Sequence, residues 1–234
     1  MPDLSGKHGL VVGVANRRSI AWSIAQAAGA AGARLALTYQ GERLEENVRD
    51  LAAKLDQPLV VPCDVAEWDQ QEALVQATLD RFGRIDVVFA NAGFGARRGF
   101  TEETPEFWRS MVLTNVLGAA YTIRATINPL RKSKGHLILT SSVAGRRALE
   151  GSFYSATKHA VTAMGEAVRQ ELNESGVRMT LIEPGMVDTP FFDKGAPEWA
   201  LKPEDVARAI MFAVSQPDHV DVNEVLIRPV GQPN

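Results

Sequence analysis

Short runs of apolar, mostly β-branched residues recur along the chain. They alternate with longer segments in which apolar positions return every three or four residues. Runs of four to six such residues bounded by Gly, Pro or Asp suit strands buried on both faces, since a strand with one wet face alternates apolar and polar. Seven runs fit, at 10–14, 34–39, 59–62, 85–90, 136–140, 177–182 and 224–228. Helix-period segments lie between them at about 20–31, 42–55, 68–82, 105–130, 153–175 and 203–214, the long fourth one bent near Pro129. Strands alternating with helices imply right-handed crossovers and a parallel sheet. The pattern predicts an α/β fold over residues 1–234: a single doubly wound Rossmann domain with a roughly seven-stranded parallel sheet. The segment Phe191–Leu201, with Gly195 and Pro197, lies between the sixth strand and the last helix. A substrate loop is expected there, at about 186–202.

Composition narrows the class. At 234 residues, 45% hydrophobic and 23% charged, the chain is an ordinary folded protein, which excludes a disordered or collagen-like one. The single cysteine, Cys63, excludes an internal disulfide and a Cys-rich zinc site, and is expected to be buried. The histidines at 8, 136, 159 and 219 show no metal spacing, so no metal is expected. A net charge of −3 argues against a nucleic-acid partner. The start, Met1-Pro-Asp-Leu-Ser-Gly-Lys, has no apolar leader core, and the longest uncharged stretch, Ser19–Ala33, is shorter than the ~20 residues of a spanning helix. A cytoplasmic protein without a membrane partner is expected.

In such a fold, ligands sit at the carboxyl ends of the strands. The first strand-to-helix turn runs Gly13-Val-Ala-Asn-Arg-Arg-Ser-Ile-Ala21. Its free N–H groups can hold a pyrophosphate at the positive end of the helix, with Ser19 as cap or donor and small Ala21 permitting close packing; a plain capping loop would look the same. No acid follows the second strand in Thr38-Tyr39-Gln40-Gly41-Glu42-Arg43. Gln40 can bond a ribose hydroxyl, while Arg17, Arg18 and Arg43 can meet a 2′-phosphate or stay solvated, so NAD and NADP both remain open. Tyr154 and Lys158 stand four residues apart, on one helix face. A phenol of pKa ~10 is a poor catalyst at neutral pH, but a neighbouring ammonium stabilises the phenolate and lets it exchange a proton with a carbonyl or alcohol oxygen. An exposed helical pair is the bland alternative. Thr140-Ser141-Ser142, Asn91-Ala92-Gly93 and Pro184-Gly185-Met-Val-Asp-Thr189 end three further strands, which puts all four clusters on one sheet edge.

On these residues the chain resembles the short-chain dehydrogenase/reductase family over nearly its whole length. Asn91-Ala92-Gly93 resembles the family's NAG motif, and Asp64-Val65 the acidic pair that touches adenine. Asn115 resembles the structural and catalytic asparagine of the long helix. Ser142, Tyr154 and Lys158 resemble the catalytic triad, and Pro184, Gly185 and Thr189 the nicotinamide-side motif. The resemblance implies NAD(P)H as cofactor, bound by Gly13, Ala15, Ser19, Ile20, Gln40, Asp64, Val65, Asn91, Ala92, Gly93, Tyr154, Lys158, Pro184, Gly185, Val187 and Thr189. It also implies a homodimer or homotetramer packed through the long helix and the Tyr154 helix. Residues 6–55 look like the enoyl-acyl-carrier-protein reductases, and the chain from Asp64 onward like the carbonyl/alcohol branch, near the 3-hydroxy acid dehydrogenases. The usual TGxxxGxG is absent. The Ser142-to-Tyr154 interval is twelve, where the family more often has thirteen; that count points at Ser141, whereas the Ser-Ser-x-x-Gly pattern points at Ser142. Enoyl reductases of that branch space their tyrosine and lysine by seven, so the spacing of four favours hydride transfer to a small-molecule ketone or from a secondary alcohol, such as a 3-hydroxy acid. Enoyl-thioester reduction and a non-catalytic dinucleotide sensor are the alternatives. Arg146 or Arg147 can receive a substrate carboxylate, though solvated side chains are the preferred reading. Trp108, Met111 and Tyr121 are expected to face the core or a second subunit.

Overall fold

The computed structural model describes residues 3–191 and 195–232. Seven strands are β1 (His8–Val12), β2 (Arg34–Tyr39), β3 (Leu59–Pro62), β4 (Val87–Ala90), β5 (His136–Thr140), β6 (Arg178–Pro184) and β7 (Glu224–Ile227). They form one sheet in the order β3-β2-β1-β4-β5-β6-β7, every pairing parallel. The helices are α1 (Ile20–Ala30), α2 (Glu42–Ala52), α3 (Trp68–Phe82), α4 (Pro105–Val112), α5 (Ala119–Ser133), α6 (Phe153–Glu171) and α7 (Pro203–Val214).

The central strands are mostly apolar because both of their faces meet helices. Val11, Phe89, Ile138 and Ile182 pack with Trp22 and Ile24 of α1, Val48 of α2 and Ile210 of α7. Their neighbours Leu10, Val12, Val88, Leu139 and Leu181 pack on the other side, with Leu74 of α3, Ile123 of α5 and Val161 of α6. The two-residue alternation of a strand thus divides one apolar run between two cores.

Boundaries differ from the sequence expectation by up to four residues. β1 ends at Val12 because Gly13 turns out with φ +88. β4 starts at Val87, since the buried Asp86 carboxylate is spent on the His8 N–H at 2.9 Å and on Arg84. β6 continues to Pro184, which pairs with Ile227. α6 stops at Glu171, and a turn follows to Gly176. The long helix is broken, but not at Pro129, which lies inside α5. A six-residue π turn, Leu113–Gly118, separates α4 from α5. Asn115 lies on that turn, and Gly118 passes so close to Val65 that a Cβ would sit 2.6 Å from its Cγ2. Single π turns concentrate at functional sites. No described helix is long and apolar enough to cross a membrane.

His136 sets an acid limit on stability. It is buried on β5, and its Nε2 lies 2.8 Å from Thr180 Oγ1. Thr180 spends its one proton on the Val222 carbonyl at 2.6 Å, so Nε2 must be the donor. Burial pushes the imidazole down to about 3. The unfolded chain therefore binds one more proton than the fold between about pH 3 and the ordinary value near 6.5, and stability falls as pH falls through that window. Between pH 7 and 5 this residue is expected to remove about 2 kcal/mol. Urea unfolding of His136→Val at the two pH values should show a pH dependence smaller by that amount.

Candidate active site

The chain leaves β1 toward β2 and β3, then returns to β4 on the other side of β1. The crevice at such a reversal is where open parallel sheets bind ligands. A Cβ on Gly13 would sit 2.9 Å from Ala92 Cα, so a bare backbone and a positive φ let these two strand ends meet. The Gly13 N–H donates to Thr38 Oγ1 at 2.9 Å. Ser19 caps α1 by accepting from Trp22 N at 3.2 Å, and donates to Asn16 O at 2.7 Å. Asn47 ties the turn to α2, donating to Ala15 O at 2.8 Å. Ala15, Ser19 and Ile20 thus stand at the positive end of α1. Farther out, Gln40 donates to Asp64 Oδ2 at 2.9 Å, and Val65 is buried behind them.

The ends of β4 and β5 are joined by Thr140, whose hydroxyl donates to Asn91 Oδ1 at 3.2 Å. Lys158 is buried beneath this junction and donates to the Thr140 carbonyl at 2.7 Å. A Cβ on Gly93 would come 3.5 Å from its Nζ. Asn115 fastens the neighbourhood. Its Nδ2 donates to Phe94 O at 2.8 Å and Thr157 Oγ1 at 3.1 Å, and its Oδ1 accepts from Phe94 N at 3.0 Å. A cavity of about 10 Å³, room for one water, lies among Ala92, Asn115, Thr140 and Lys158.

Tyr154 starts α6, capped by Ser152, and one turn on Lys158 Nζ lies 5.7 Å from the centroid of its ring. The phenol hydroxyl faces Ser142, whose hydroxyl favours the ionised form. Ser142 Oγ also accepts from Ala144 N at 3.1 Å and lies 3.4 Å from the Pro184 carbonyl. Ser141 turns the other way, its Oγ 3.1 Å from the Lys158 carbonyl and 2.8 Å from Thr162 Oγ1. The fold therefore brings Ser142, not Ser141, to the tyrosine. Burial pushes Lys158 down to about 8. It also pushes Tyr154 above its ordinary value, opposed by the Ser142 hydroxyl. In this structure burial sets the direction for the phenol, and Lys158 donates to the Thr140 carbonyl.

The segment after β6 closes over the tyrosine. The Gly185 N–H donates to Ile227 O at 2.7 Å, and Val187 bridges Leu201. Asp188 pairs with Arg18 at 2.6 Å and Lys202 at 2.9 Å, tying this segment to the first turn. Thr189 Oγ1 accepts from Phe191 N at 3.3 Å. The Phe191 ring meets Tyr154 edge-on, 5.5 Å between centroids, and rests on the bare Cα of Gly95. Residues 192–194 of the expected substrate loop lie outside the described residues.

Two arginines are paired. Arg18 meets Asp188 while half of its side chain stays exposed, so both readings of it remain open. Arg146 is neither solvated nor available to a substrate carboxylate: its guanidinium is held by the buried Glu183 and by Glu224. Cys63 is buried, with its thiol pushed up to about 12. Met111 is buried, Tyr121 meets Trp68 edge-on, and Trp108 stacks on Phe153 at 5.0 Å. Among the described residues no group of His, Cys, Asp and Glu could hold a metal ion. Phe191, Gly95, Thr157 and Asp188 were not singled out from the sequence. Phe191 lay inside the expected loop, but its contact with Tyr154 depends on a chain path no local pattern encodes.

Known proteins resemble this chain in sequence and fold. A family model described as Enoyl-(Acyl carrier protein) reductase matches residues 13–222. An uncharacterized oxidoreductase of Staphylococcus saprophyticus is 36% identical, covering 98% of this chain and 100% of its own. The alcohol dehydrogenase of the archaeon Thermococcus sibiricus, crystallised with 5-hydroxy-NADP, superposes with a TM-score of 0.87 at 30% identity, covering 97% of this chain and 98% of that one. The Bacillus cereus enoyl-acyl carrier protein reductase, with NADP+ and indole naphthyridinone, superposes with a TM-score of 0.86 at 26% identity, covering 97% of this chain and 96% of that one. An oxidoreductase fold, a strand-end crevice and matches along the whole chain converge: this protein belongs to the short-chain dehydrogenase/reductase family.

Proposed function

We propose that this protein is an NAD(P)H-dependent oxidoreductase that interconverts a ketone and a secondary alcohol. The observation that carries the proposal is Tyr154 facing Ser142, with Lys158 Nζ 5.7 Å from the phenol ring one helical turn away. Both chemistries, alcohol and enoyl, occur among the relatives, so the choice falls to the site. A phenol and a serine hydroxyl that face each other can both donate to one oxygen, which suits a carbonyl becoming an alkoxide.

The donor set fits a nicotinamide dinucleotide. Lys158 is a buried ammonium whose one hydrogen bond among the described residues is to Thr140, which leaves two protons for ligand hydroxyls. Gly13, Ala15, Ser19 and Ile20 would hold the pyrophosphate at α1, and Gln40, Asp64 and Val65 the adenosine. Asn91, Ala92 and Gly93, with Tyr154 and Lys158, would line the ribose, and Pro184, Gly185, Val187 and Thr189 the nicotinamide. When bound, the cofactor supplies the hydride. Tyr154, kept protonated by burial, donates the proton to the substrate oxygen. Ser142 gives up a long contact to the Pro184 carbonyl and donates to the same oxygen. Asn115 holds Thr157, and with it the turn of α6 that carries Lys158; one water in the adjoining cavity completes the link between Asn115 and the ammonium. With Arg146 occupied, a 3-hydroxy acid carboxylate would need another partner. A homo-oligomer packed through α5 and α6 accords with the open groove lined by Trp68, Arg124, Asn128, Arg131 and Glu171.

The test is reduced-nicotinamide absorbance with NADH and NADPH against a panel of ketones and enoyl thioesters, beside calorimetry of cofactor binding. Ketones are expected to turn over at least ~10-fold faster than enoyl thioesters. Reversal of that order establishes the enoyl reading, and binding without any turnover establishes a sensor.

A further inference from the structure

The turn that carries Ser142 is fastened on both sides by charge and hydroxyl contacts that the proposed chemistry does not use. On one side it lies on α6, the helix that carries Tyr154. Ser141 Oγ stands 3.1 Å from the Lys158 carbonyl, and Gly145 sits so close that a Cβ would come 2.7 Å from the same carbonyl. On the other side Arg146 reaches the end of β6, its Nε donating to both carboxylate oxygens of Glu183, at 2.7 and 2.8 Å. Its Nη2 pairs with Glu224 on β7. Thr162 of α6 donates to Glu183 Oε1 at 3.3 Å and lies 2.8 Å from Ser141 Oγ, so the two anchors are joined. Glu183 immediately precedes Pro184, whose carbonyl lies 3.4 Å from Ser142 Oγ. Glu183 is 0% exposed and Arg146 32%. A fully buried carboxylate is costly, and an apolar pair of similar volume commonly stabilises a fold as well or better. Burial of this pair beside Ser142 therefore calls for a reason other than stability.

We propose that Arg146 and Glu183 are positioning residues for Ser142: their ion pair locks the β5–α6 turn to the end of β6, so that the serine hydroxyl and the Tyr154 hydroxyl meet one substrate oxygen. The inference rests on the carbonyl-reductase reading of the site. Arg146 acts through geometry rather than contact with substrate, and its fork is what matters. A lysine would keep the charge but present one nitrogen, where Arg146 holds Glu183 with Nε and Glu224 with Nη2.

The experiment compares wild type, Arg146→Lys and the double variant Arg146→Met/Glu183→Leu, measuring melting temperature, cofactor dissociation constant, and kcat and KM for a ketone that the wild type reduces. The double variant removes both charges together, so it leaves no unpaired buried carboxylate. Expected is a melting temperature equal to or above that of the wild type, cofactor affinity within twofold, and kcat at least 10-fold lower. Arg146→Lys should fall between the two in kcat with its ketone KM unchanged. A purely structural pair predicts instead that kcat recovers together with stability, and wild-type kcat in the stable double variant overturns the inference alone. If the double variant does not fold, Arg146→Lys decides: undiminished kcat overturns the proposal and a selective loss of kcat supports it. A wild type that binds cofactor but reduces no ketone overturns the reading of the site and this inference with it.

Discussion

Tyr154→Phe is expected to lower kcat for ketone reduction by roughly 10²–10⁴-fold, the usual contribution of a positioned general acid, while leaving cofactor affinity within twofold. The substitution removes one oxygen. The ring keeps its place between Phe191 and Lys158, so shape is retained and the proton donor is lost. Ser142 loses its phenol partner but keeps the Ala144 N–H, which limits the stability cost to about 1 kcal/mol. Direction matters for pH. Burial raises the phenol above its ordinary value, so the acid form persists through neutral pH. Wild-type ketone reduction should therefore be nearly flat from about pH 6 to 7 and fall as Lys158 loses its proton near 8, whereas alcohol oxidation, which needs the phenolate, should rise with pH up to that point. Stopped-flow measurement of both directions separates these outcomes. Turnover retained in Tyr154→Phe, or oxidation fastest in acid, would refute the assignment.

The fold was readable because burial on both faces leaves an unbroken apolar signature. Leu10, Val11 and Val12 point alternately into two cores, and no polar position interrupts them. Boundaries were less readable wherever a side chain competes for the backbone. Asp86 precedes the late start of β4, its carboxylate taking the His8 N–H. Leu113–Gly118 widens into a π turn while Asn115 spends its amide on Phe94 and Thr157. Pro129, the residue that looked like a break, sits within α5 without ending it. Local pattern registers the proline but not the tertiary contacts that favour a π turn upstream.

In the site, spacing located what lies within one element, and topology supplied the rest. Tyr154 and Lys158 share a helix face, and the strand-end clusters fall on one edge because parallel strands end together. The choice between Ser141 and Ser142 depended on which way a two-residue turn faces, which counting could not decide. Arg146 was misread because its partners, Glu183 and Glu224, lie 37 and 78 residues onward on two other strands. The phenol's surroundings were half legible: proximity of an ammonium was visible from sequence, and desolvation of both groups, which acts against each charge, was not.

Lys158→Met should separate function from stability most sharply. Its ammonium is held down to about 8 from an ordinary 10.5 by burial, so the folded state binds this proton less tightly than the unfolded chain does. Stability then rises with pH between about 8 and 10.5, and below 8 the charge costs the fold about 3 kcal/mol. Methionine is nearly isosteric and carries no charge. It forfeits the bond to the Thr140 carbonyl, which returns about 1–3 kcal/mol of that gain. The net expectation at pH 7 is a melting temperature equal to the wild type's or roughly 2–4 °C higher, the difference shrinking above about pH 10. Activity should move the other way. Loss of a charged donor to cofactor hydroxyls weakens binding roughly 10-fold, and kcat falls about 10²-fold as the developing charge near Tyr154 loses its counterion. A buried ammonium that destabilises its fold is retained for what it binds. Calorimetry of unfolding beside steady-state kinetics tests both halves. A variant that is both active and unstable would make Lys158 a structural strut, and the proton donor would then have to operate without it.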